Sequence, residues 1–210
     1  MIPMIYIWRS QKESRYLIPL KVYVVLAFLI NLAATVIWYR NKLHIQLPAW
    51  LDSNSACYNA GSIARLLCFS LFFILLNQRF MHRVKIVLPI LFILLTIANF
   101  VFYEPFYTHD SFSTRLLASE AAILLFYCVQ YYIYLMIQDK QEREESLIRQ
   151  PGFWTVTGLS FYVAISFFIF LFYDALIDQS TTFAVDIWDV HNLAYIFLCI
   201  CIAISLKKGK

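Results

Sequence analysis

Three ionisable residues, Arg65, Glu120 and His191, stand inside long apolar runs of this 210-residue chain. Water is absent from such runs when they cross a bilayer, so each such group is costly there and points to a function or to a partner. An arginine and a carboxylate in one low-dielectric place are expected to pair, because neither can be left alone there. A histidine, with an unperturbed pKa of about 6.5, is the one side chain among them suited to act as a proton switch near neutrality. Asp189 and Asn192 flank His191, and Asn31 and Asn99 are amides in two further apolar runs.

The depth of each group follows from a rise of about 1.5 Å per residue. Arg65 and His191 fall about eight residues, or about 12 Å, into their runs, and Glu120 about seven residues, or about 10 Å. Asn31 and Asn99 approach the same level from the opposite chain direction. The expectation is a polar pocket in the outer half of the membrane, opening to the outside, with Arg65 and Glu120 paired and His191, Asp189 and Asn192 forming another wall. Structural readings stand beside it. Arg65 can snorkel to the interface, Glu120 can be protonated or tie helices together, and His191 can be a satisfied structural histidine.

The elements that must position these groups are helices. Hydrophobic residues are 61% of the chain and charged residues only 14%, against about 25% charged in an ordinary soluble domain. There is too little polar surface to coat a water-soluble globule of this size. A spanning helix needs about 20 apolar residues, and the runs 18–39, 57–76, 84–103, 113–137, 153–173 and 183–206 meet that need. They are too long and continuous for strands. The fold class is therefore all-α, a polytopic bundle of about six transmembrane helices in one domain.

Basic residues set the orientation. Arg9, Lys12, Arg15, Lys21, Arg79, Arg83, Lys85, Lys140, Arg143, Arg149, Lys207, Lys208 and Lys210 fall on one side of a six-span chain, and only Arg40, Lys42 and Arg115 fall on the other. Positive charge collects in the cytoplasm, which predicts both termini inside. Residues 40–56 are expected to lie on the membrane surface. Residues 138–152 are expected to prolong the fourth helix until Pro151 and Gly152 break it. Residues 1–17 read either as interfacial or as the remnant of an additional N-terminal helix.

Several chemistries find no support. The histidines His44, His82, His109 and His191 lie in different segments, with no metal-ligand spacing. No phosphate-binding glycine loop and no nucleophile elbow occurs among the four glycines. No cofactor, no nucleic acid and no catalytic role is expected. The five cysteines read as small buried hydrophobes. Pro89 and Gly158 are the candidate interruptions of a helix.

The second half carries a pattern: Ser111-Phe112-Ser113-Thr114-Arg115, Ser119-Glu120, Phe153-Trp154, Gly158-Leu159, Tyr162, then Trp188 and His191. This resembles the multi-helix membrane modules that precede the kinase core of some bacterial sensor histidine kinases. The resemblance covers roughly residue 9 onward. It departs at Tyr195, where the family often has a second asparagine, and at Arg65, near which the family has an acid. The resemblance implies a sensor or signalling protein of the bacterial inner membrane, with the bilayer and a separate cytoplasmic histidine kinase or other signalling protein as partners. A small transporter or exporter, or a lipid-modifying intramembrane enzyme, are the competing readings.

Overall fold

The computed structural model describes residues 14–44, 53–76, 81–103, 113–139, 150, 152–179 and 181–208. These form a short 3-10 turn, Arg15–Leu17, and six α-helices: α1 Ile18–Lys42, α2 Ser55–Leu75, α3 His82–Phe102, α4 Thr114–Asp139, α5 Phe153–Gln179 and α6 Thr181–Lys208. No strand occurs among the described residues. The expectations for residues 1–13, for 45–52 within 40–56, and for most of 138–152 fall outside the described residues.

All six helices are long and apolar enough to cross a membrane, with mean hydropathies from 1.5 to 2.4. Each sends large apolar side chains outward: Leu32 on α1, Leu71 on α2, Leu94 on α3, Met136 on α4, Phe168 on α5 and Leu193 on α6 are all at least half exposed. Such an exterior is stable against hydrocarbon and costly against water.

Local sequence explains where several helices begin and end. Pro19 occupies the first turn of α1, where its missing N–H costs nothing. His44 turns the chain out of α1 with positive φ. Ser113 caps α4, its Oγ accepting the Leu116 N–H at 3.3 Å. Gly152 opens α5 at φ +78°, a conformation that favours glycine.

The helices α2, α4 and α5 are the most buried, and α1 and α3 the least. Aromatic residues fill the centre. Phe69, Phe72 and Phe73 of α2 are fully buried, and the Phe73 and Tyr127 rings lie 5.2 Å apart. The Tyr127 hydroxyl donates to the Lys85 carbonyl at 2.9 Å, tying α4 to α3. Chain neighbours α4, α5 and α6 pack in succession, and α1 packs on α2. Among the described residues α1 and α6 make little direct contact, and a recess lies between them.

Neither Pro89 nor Gly158 interrupts its helix. Gly158 instead lies at a close approach of α5 to α6. A Cβ there would sit 2.5 Å from Cys201 Cβ and 3.2 Å from Leu198 Cα. Small residues allow such backbone approach between membrane helices.

Candidate functional site

Arg65, two to three turns into α2, meets Glu120 on the second turn of α4. Its Nε donates to Oε1, and its Nη2 donates to Oε2 at 2.8 Å. This two-pronged match of guanidinium and carboxylate is the strongest form of the pairing. Glu120 is 2% exposed and the Arg65 side chain 12%. Arg65 therefore faces the recess while Glu120 stands behind it. The guanidinium also lies 5.1 Å from the centre of the Tyr162 ring on α5, a cation–π contact that gains strength where water is excluded. One arginine thus joins α2, α4 and α5.

His191 on α6 is held from the α5 side. The Ser166 hydroxyl is 3.1 Å from Nδ1, and the Tyr162 hydroxyl is 3.4 Å from Nε2. Ser166 has a single hydroxyl proton, and it goes to the Tyr162 carbonyl at 2.8 Å. Ser166 Oγ must therefore accept from His191, so the proton sits on Nδ1. Nε2 is left to accept from Tyr162. Three rings enclose the imidazole: Trp188 stacked at 5.2 Å, Phe170 edge-on at 5.3 Å and Tyr162 tilted at 5.1 Å.

Arg65, Tyr162, Phe170, Trp188 and His191 line a recess of about 90 Å³ between the α1–α2 pair and α5–α6, with Leu117 of α4 also in its wall. A space of that size holds several waters or one small polar group. Tyr23 of α1 and Tyr195 of α6 stand at one end of it. Tyr58 and Trp188, with ring centres 5.6 Å apart, link α2 to α6 at the other. Asn31 and Asn192 also line it, and both are exposed. Asn31 donates to the Ala27 carbonyl at 2.7 Å.

Two of the expected residues lie elsewhere. Asp189 is exposed and is not among the recess-lining residues. Two positions along a helix turn a side chain through about 200°, so it cannot share a wall with His191. Asn99 lines a separate hollow of about 240 Å³ between α3 and α4, with Thr96, Tyr103 and Arg115. Its Nδ2 donates to Ser113 Oγ at 3.1 Å, and the Ser113 N–H donates to Asn59 Oδ1 at 3.1 Å. Asn99 and Asn59 therefore secure the start of α4. Depth along a helix says nothing about direction around it, and α3 lies on the far side of α2 and α4.

Tyr162, Ser166, Phe170 and Trp188 were not expected as site residues. Tyr162, Ser166 and Phe170 recur every fourth position, so they share one face of α5. That spacing, set against a lone histidine on the next helix, is the signal that marks them. Among the described residues, no three His, Cys, Asp or Glu side chains gather as a metal-ligand set.

Comparison with known proteins finds no matching family model, no matching curated protein and no matching solved structure.

Proposed function

We propose that this chain is a membrane sensor or signalling module. It sits in a bacterial cytoplasmic membrane with both termini inside. The recess then opens in the outer half of the bilayer, and the signal passes to a separate cytoplasmic partner, a histidine kinase or another signalling protein.

The observation that carries this reading is the recess itself. A buried ion pair and an enclosed histidine meet where α1 and α6 leave a gap. Buried polar groups are expensive in a bilayer, and a purely structural bundle has cheaper ways to pack. A ligand in the recess acts on helices that are joined only through side chains there. It shifts their packing provided it binds the two arrangements unequally.

The test is genetic. Arg65→Met, Glu120→Gln and His191→Phe are placed at the native locus, and transcript profiles are compared with wild type and with a deletion. At matched protein levels, the substitutions are expected to reproduce the deletion profile or to lock its opposite. A deletion profile identical to wild type, together with Glu120-dependent solute uptake in vesicles, would replace signalling with transport.

A further inference from the structure

We infer that the recess takes an uncharged amphiphile, whose oxygen acceptor meets Arg65 and Asn192 and whose chain lies between α1 and α6. This deepens the proposed function and rests on the recess being a ligand site.

Charge comes first. Arg65 and Glu120 cancel, with both carboxylate oxygens and two guanidinium nitrogens engaged. An anion would leave a net negative charge in a low-dielectric place, and a cation would lie against Arg65. Either is heavily penalised. A guanidinium carries five N–H donors and no acceptor. The two bonds to Glu120 leave donors over, and Arg65 faces the recess. The fitting partner is therefore a neutral oxygen acceptor, such as an ester carbonyl or a hydroxyl.

The route comes second. Aromatic side chains stand at both ends of the recess, Tyr23 and Tyr195 at one and Tyr58 against Trp188 at the other. The open side runs between α1 and α6. Asn31 and Asn192 stand at its threshold, exposed yet counted in the lining. Asn192 has no hydrogen-bond partner among the described residues. Beside the amides the α1 wall is apolar, made by Ala27, Ile30 and Ala34. A molecule entering there has its polar end among donors and its chain against hydrocarbon.

The experiment uses the full chain in lipid nanodiscs. Three photoreactive long-chain probes are incorporated in the bilayer: a monoacylglycerol, an alkyl sulfonate and an alkyl trimethylammonium. Labelled peptides are mapped by mass spectrometry. The monoacylglycerol is expected to label α1 and α6 around Asn31 and Asn192, with displacement by unlabelled monoacylglycerol only. Asn192→Leu should weaken that displacement by about fivefold, the effect of one lost hydrogen bond. Ala27→Phe, which fills the recess from α1, should abolish it, with gel-filtration profiles confirming folding. Labelling that merely follows lipid exposure, as heavy on α3 as on α1, overturns the inference. So does equal labelling of the recess by either charged probe. Specific labelling upholds it even where the transcript comparison fails, and then only the sensing role is lost.

Discussion

Arg65 and Glu120, 55 positions apart in the chain, grip each other through two nitrogens and two oxygens at the junction of α2 and α4. The Tyr162 ring covers the guanidinium from α5. The contact cancels two charges where few other groups could do so.

Removing one partner strands the other. Arg65→Met or Glu120→Met alone should destabilise the fold by roughly 3–5 kcal/mol, whereas the double substitution should recover most of the loss. Thermal midpoints from fluorescence-detected gel filtration read the difference. A double variant no better than the worse single would show that the pair is not what the site needs.

The tautomer of His191 is a direct expectation. Nitrogen NMR of histidine-labelled protein should show a protonated Nδ1 and a bare Nε2. Ser166→Ala should cost about 1 kcal/mol, the typical net value of one hydrogen bond, and release Nδ1–H. Tyr162→Phe should instead alter the Nε2 signal. Protonation found on Nε2 in the intact protein would reverse the donor assignment.

At the α5–α6 crossing, Gly158→Ala should cost about 1–3 kcal/mol through overpacking. Cys201→Gly in the same chain should restore part of the loss, because it removes the atom 2.5 Å away but not the Leu198 backbone at 3.2 Å. Thermal midpoints of the two variants decide this.

The Asn99–Ser113–Asn59 knot should behave as structure. Ser113→Ala should cost about 1 kcal/mol, as for other lost helix caps. Asn99→Leu should lower stability while leaving probe labelling at Asn192 unchanged. Lost labelling in the Asn99 variant would couple the two regions.

Orientation is checked with fusions after Lys208. With the C-terminus inside, a fluorescent-protein fusion should glow and an alkaline phosphatase fusion should be inactive. The reverse pattern would place the recess in the inner half of the bilayer.

The helices are more legible in the sequence than their mutual facing. Uninterrupted apolar runs leave little choice of element, and the observed ends differ from the expected ones by a few residues. For instance, α1 continues past 39 to Lys42. The Arg65–Glu120 pair was legible because two opposite charges at one depth have few other options. Asn99 and Asp189 lie off the recess because depth along a helix fixes no angle around it. Tyr162 and Ser166 escaped notice because such residues are ordinary in membrane helices. Only their alignment with His191 sets them apart.

The first turn of the described chain has a consequence of its own. Leu17 is buried, and Tyr16 meets the Phe72 ring edge-on at 6.2 Å, so the start of α1 is clamped to the end of α2. Along its middle turns, at Ala27, Ile30, Asn31 and Ala34, α1 borders the recess. A stiff rod of 25 residues, about 37 Å long, pivoting near one tip, converts a small sideways push at mid-length into a larger swing of its far tip. Torque then falls on the Tyr16–Phe72 joint.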